Sequence, residues 1–145
     1  PSRKIVQAIM LIRLPEVPNA ALTENRRRGM HYRQYAKVLQ EEKEKFYLLL
    51  LQERPSVAFS GRVDLSYRFH FKDRRMRDRD GLAQRLKVVQ DLMGQPKGKD
   101  STYKLGIIVD DSDKYINLWS ILPTVYGASA EMLEIEITGL EEGVQ

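Results

Sequence analysis

Alternation of apolar and polar side chains is clearest over residues 62–72. There Val63, Leu65, Tyr67, Phe69 and Phe71 alternate with Asp64, Ser66, Arg68, His70 and Lys72. A period of two sends the two sets to opposite faces of a β-strand, so the first set is expected on a core and the second toward solvent or a ligand. The same alternation returns over 132–138, where Leu133, Ile135 and Ile137 interleave with Glu134, Glu136 and Thr138. Residues 5–14 read as a buried strand ended by Pro15, Pro18 and Asn19. Shorter strands are expected over 107–109, ending at Asp110, and over 115–122. Helical spacing governs two other stretches. Over 31–53 the apolar positions are Tyr32, Tyr35/Ala36, Leu39, Phe46 and Leu50, with Glu and Lys between them. The leucines at 48–51 predict a buried C-terminal end, and Pro55 stops the helix. Over 78–93, Leu82, Leu86, Val89 and Leu92/Met93 form one stripe, with Asp78 or Asp80 placed to cap it. Residues 19–30 read as a polar loop, and 94–100 as a turn-rich one.

The predicted order is βαβαβββ. It implies a mixed sheet with two main helices on one face, an α/β or α+β fold in a single domain spanning 1–145. Composition agrees: of 145 residues, 42% are hydrophobic and 30% charged, a globular balance. The absence of cysteine excludes disulfides, thiolate nucleophiles, Cys-ligated zinc and iron–sulfur clusters. The first residues look superficially like a secretory signal, but Arg13 interrupts the apolar run and two prolines follow, so a first strand is expected instead. No apolar run approaches the ~20 residues of a membrane span. A soluble cytoplasmic protein with no membrane partner and no small-molecule substrate is expected.

Charge changes the picture through its distribution. The net charge of +4 only permits a nucleic-acid partner. The cations are clustered, however: Arg26, Arg27 and Arg28 in one group, and Lys72, Arg74, Arg75, Arg77 and Arg79 in another. Asp78 and Asp80 sit inside the second group, and Asp110 and Asp111 follow the apolar run Ile107, Ile108, Val109. Carboxylates suit Mg²⁺, a hard cation that takes oxygen ligands and keeps several waters. Guanidinium groups match phosphate with a planar fork of donors. Together they point to metal-assisted chemistry on a phosphodiester. The plain alternatives are a helix cap for Asp78 or Asp80, an Asp-rich turn for Asp110 and Asp111, and a solvated charge run. The segment 94–101 has a glycine spacing too short for a phosphate-binding loop and follows a helix, so that reading is rejected. His31 and His70 have no partner at metal-ligand spacing, and no nucleophile-elbow motif occurs.

In order of elements the chain resembles the RusA family of Holliday-junction resolvases, small dimeric Mg²⁺-dependent endonucleases typical of phages and prophages. The resemblance is carried by LPEVPN at 14–19, by RRMRDRD at 74–80 opening a helix, by the Asp110–Asp111 pair after a short apolar run, and by the closing LEIEIT strand. It implies a metal-dependent endonuclease that resolves branched DNA in recombination and repair, with Mg²⁺, or Mn²⁺ in its place, and a homodimer matched to a two-fold junction. The family's essential carboxylates map onto Asp78, Asp80 and Asp111, with Asp110 as an adjacent metal ligand. Gly81 stands where the family has Asn, and Gln84 where it has a catalytic lysine. The lysine's role would pass to Lys87 or to Arg85. Arg26, Arg27, Arg28, Arg74, Arg75 and Arg77 would contact the DNA backbone, which positions a protein without reading sequence. A binding protein of the same fold that does not cleave, and an unrelated domain with structural carboxylates, are the other two readings.

Overall fold

The alternating segment forms a strand, and it lies in the interior of a sheet. The computed structural model describes residues 4–53, 58–96 and 103–142. Its strands are β1 (Lys4–Leu14), β2 (Val63–His70), β3 (Ile116–Ile121) and β4 (Met132–Glu142). Its helices are α1 (Glu24–Arg28), α2 (Tyr32–Glu53) and α3 (Arg79–Met93), with a 3₁₀ turn at Ala20–Leu22. The sheet order is β1-β4-β2-β3. Strand β4 runs antiparallel to both β1 and β2, whereas β2 and β3 are parallel. Parallel neighbours need a crossover, and α3 supplies it. The fold is therefore α+β with a mixed sheet, as the pattern predicts.

Val63, Leu65, Tyr67, Phe69 and Phe71 are all buried. Leu65, Tyr67 and Phe69 pair with Ile137, Ile135 and Leu133 of β4, so one face of two strands is continuously apolar. Phe46 and Leu50 of α2 and Leu82, Leu86, Val89, Leu92 and Met93 of α3 join the same cluster. Gly139 of β4 allows the Phe59 ring to lie against the strand, since a Cβ there would stand 2.7 Å from the ring. Among the described residues, no helix is long and apolar enough to cross a membrane.

Three expectations change. Residues 107–109 are not a strand. The N–H groups of Ile107 and Ile108 bond the Met93 carbonyl at 2.8 and 3.0 Å, and the Ile107 carbonyl accepts from Phe59. The run is buried because it closes the C-terminal end of α3, and a short apolar run alone does not separate the two outcomes. Counting the short helix α1, the order is thus βααβαββ. The leucines at 48–51 are not uniformly buried: Leu50 is, whereas Leu48 and Leu51 are exposed. A single helix face reaches the core, and Tyr32 also lies outside it. The arginine triplet stands on a short helix rather than in a loop. Asn19 accepts from the Ala21 N–H at 2.8 Å, and Thr23 accepts from the Arg26 N–H at 3.4 Å, capping the two turns. Pro55 and residues 97–100 of the expected second loop lie outside the described residues.

The turn after β1 is tied to both long helices. Buried Glu42 of α2 accepts from the Asn19 N–H at 2.6 Å and pairs with Lys45 at 2.8 Å. The Nε of Arg85 in α3 donates to the Pro18 carbonyl at 2.7 Å.

Candidate nucleic-acid and metal site

Beyond β2 the chain enters the arginine-rich segment, and one of its arginines holds it in shape. The Arg77 guanidinium donates to both oxygens of Asp73, at 2.7 and 3.0 Å, and lies 3.6 Å from the centre of the Phe71 ring. The Arg77 N–H donates to the Tyr126 hydroxyl at 3.2 Å, and the Asp73 carboxylate also accepts from the Arg75 N–H at 3.0 Å. The bonds from Arg77 and from the Arg75 N–H hold the Asp73 pKa down to about 2. Arg77 was expected to contact DNA, but its guanidinium is committed within the chain. The other five expected contacts divide. Arg26 and Arg75 are exposed on a shared cavity. Arg74 is exposed beside Gly127, whose φ of +67° favours glycine. Arg27 lies 4.6 Å from the Tyr35 ring centre, and Arg28 pairs with Glu24 at 3.2 Å on the surface.

Asp78 and Asp80 flank the start of α3. Asp78 occupies the N-cap position with extended backbone, yet its side chain makes no capping bond. A capping aspartate would accept from the second or third N–H of the helix, so the helix-cap reading does not account for it. Among the described residues neither carboxylate has a hydrogen-bond or ion-pair partner, although arginines surround them. Both open on a cavity of about 470 Å³ that Arg26, Arg75, Arg77 and Arg85 also line. Arg85 is the deeply placed one, 8% exposed. Its guanidinium faces the Phe71 and Phe69 rings at 5.3 and 6.0 Å. Burial, with the Arg77 charge nearby, lowers its pKa to about 10, which leaves it charged at neutral pH.

Asp110 and Asp111 are elsewhere. They line a second cavity with Gln90, Asp91 and Lys104 at the far end of α3. The Asp111 carboxyl stands beside that of Asp91, and burial together with that neighbour raises the Asp91 pKa. The α3 backbone rises about 16 Å between Asp80 and Asp91. The convergence of Asp78, Asp80 and Asp111 expected from the sequence therefore does not occur within one chain, and among the described residues no group of three or more His, Asp or Glu side chains is arranged to hold a metal. The cause is the segment 105–108, which folds back on the C-terminal end of α3. Lys87 also differs from expectation. It is exposed and lines a third cavity with Arg27, Tyr35 and Lys43, away from Asp78 and Asp80. Gln84 bonds the Glu24 N–H at 2.6 Å, joining α1 to α3.

Two features escaped the sequence reading. Asp91 sits on the half-buried flank of α3, and only its contact with Asp111 makes it notable. Arg85 stood next to Lys87 as an alternative. Its helical phase, one turn beyond Leu82 and beside Leu86, could have marked it as facing inward. Compared with models of known protein families the chain matches none, and no curated protein matches it.

Proposed function

We propose that this protein is a metal-dependent endonuclease acting on branched DNA as a two-fold dimer. The observation that carries this reading is the pair of carboxylates, Asp78 and Asp80, unpartnered among the described residues, on a cavity that four arginines line together with Glu24 and neutral side chains. Structural carboxylates in such surroundings would be ion-paired. Free ones suit a hard cation, and Mg²⁺ is commonly held by one or two carboxylates plus waters and substrate phosphate. Mg²⁺, or Mn²⁺ in its place, on Asp78 and Asp80 would polarise the scissile phosphate and acidify a water. Arg26 and Arg75 hold the strand through its phosphates, and Asp73 with Arg77 fixes the segment that carries Arg75. The net reaction adds one water across a phosphodiester. The water oxygen bonds to phosphorus, and the sugar oxygen leaves with a proton.

The far carboxylates fit this reading through symmetry. A two-fold axis that sets two α3 helices antiparallel brings the Asp110–Asp111 end of one copy to the Asp78–Asp80 end of the other, and a four-way junction has matching two-fold symmetry. Mixing two inactive variants tests this. Asp80→Asn and Asp111→Asn are each expected to lose junction cleavage while binding persists. Mixed dimers keep one intact site if the two ends come from different chains, so random mixing should restore about a quarter of the original activity. No recovery in dimers shown to exchange would reject the shared site. Retained cleavage by Asp80→Asn would reject the metal reading. A non-cleaving binding protein is favoured by one observation: Gln84, at the place of the family's lysine, is occupied by its bond to Glu24.

A further inference from the structure

We infer that Arg85 is a catalytic residue of this site, gripping the scissile phosphate with both terminal nitrogens of its guanidinium. The inference rests on the nuclease reading and names the group that would stabilise its transition state. Arg85 is an unusual buried charge. It is 8% exposed, and among the described residues it has one hydrogen bond, from Nε to the Pro18 carbonyl. No described carboxylate lies within ion-pair distance of it, and Glu131 and Glu42 act on it only from further away. Burying a cation without a directly bonded counter-charge is costly, so the guanidinium suits an anion that arrives later. The cavity it lines is open and also holds Asp78 and Asp80. The tether to Pro18 fixes one edge of the guanidinium, and the Phe71 and Phe69 rings lie beside it with centres 5.3 and 6.0 Å away. The remaining donors form the fork that matches two non-bridging phosphate oxygens. Arg77, the nearest alternative, is already committed to Asp73. Arg26 and Arg75 are exposed, where water weakens their effect on developing charge.

A purely structural Arg85 would tie the Pro18 turn to α3 and do nothing more. Arg85→Met keeps the apolar stem without the charge, and Arg85→Lys keeps the charge without the fork. Each variant is measured for melting temperature, for affinity to a synthetic four-way junction in Ca²⁺, and for single-turnover cleavage in Mg²⁺. Arg85→Met should cut the cleavage rate by ~10²–10³-fold, the scale of one lost electrostatic stabiliser, with a much smaller change in affinity. Arg85→Lys should lose about tenfold, one hydrogen bond's worth of transition-state contact. If the methionine variant does not fold, the lysine variant decides. Full rate in Arg85→Lys, or affinity and rate falling by the same factor, overturns the inference and leaves the nuclease reading standing. No cleavage by the unaltered protein in Mg²⁺ or Mn²⁺ overturns both.

Discussion

Replacing Glu42 by alanine tests how the fold holds the candidate site, because one buried carboxylate fixes the turn that in turn fixes Arg85. Glu42 is 4% exposed. One oxygen accepts from the Asn19 N–H at 2.6 Å, and the other pairs with Lys45 at 2.8 Å. Alanine leaves the part-buried Asn19 N–H without its acceptor, which costs about 0.5–1.5 kcal/mol. The Lys45 side chain is about a third exposed and keeps Glu16 at 3.1 Å, so its loss adds only about 0.5–1 kcal/mol. The sum, about 1–2.5 kcal/mol, corresponds to a fall in melting temperature of very roughly 2–10 °C in a chain of this size. Glutamine retains an acceptor for Asn19 and loses only the charge, so Glu42→Gln should cost about 0.5–1 kcal/mol. Thermal melts of the three proteins at neutral pH measure this directly. Equal melting temperatures for Glu42→Ala and the unaltered protein would refute the argument. Equal losses for the alanine and glutamine variants would also refute it, because the charge rather than the Asn19 bond would then carry the effect.

Two further outcomes follow from the arginine-rich segment and the short helix before α2. Asp73 has a folded pKa near 2 against an ordinary value of 3.8, so its pairing with Arg77 favours the fold above the ordinary value and that advantage disappears as pH falls through about 2. Urea midpoints followed from pH 5 down to pH 2 should therefore drop more steeply for the unaltered protein than for Asp73→Asn, and parallel curves would contradict this. Junction affinity measured against salt should lose about 0.9 from its log–log slope in Arg26→Ala, one phosphate's share. An unchanged slope would remove Arg26 from the interface.

What could be read in the sequence was what local periodicity determines. The alternation of residues 63–71 fixes which side chains of β2 are buried whatever the neighbouring strands are, and the stripe from Leu82 to Met93 does the same for α3. The remainder depended on where the chain goes next. Ile107, Ile108 and Val109 are apolar enough for a strand, but the Met93 carbonyl at the end of α3 takes the N–H groups of Ile107 and Ile108. That single preference moves Asp110 and Asp111 away from Asp78 and Asp80. The choice between Lys87 and Arg85 was legible in helical phase. Arg85 follows Leu82 by one turn and adjoins Leu86 on the buried stripe, whereas Lys87 lies two positions further round the helix.

The separation of the carboxylate pairs has an energetic logic under the proposed reading. Carboxylates gathered in one folded chain repel one another before any cation arrives, and that repulsion opposes folding. Here each end of α3 carries its own acidic pair. Asp91 meets Asp111 with a raised pKa that relieves part of the repulsion, while Asp78 and Asp80 face arginines across an open cavity. The folded chain thus avoids the full cost of a converged site. Only an assembly that juxtaposes opposite ends of two α3 helices would incur it, and there a bound cation would offset it. Cleavage would then require a correctly formed dimer on a two-fold substrate, which is a safeguard for an enzyme whose arginines bind any DNA backbone. This reasoning makes the dimer's tightness depend on divalent cation. Sedimentation of the unaltered protein should show stronger self-association with Mg²⁺ than with a chelator, and Asp80→Asn should lose that difference. Self-association indifferent to the cation would detach the far carboxylates from the site.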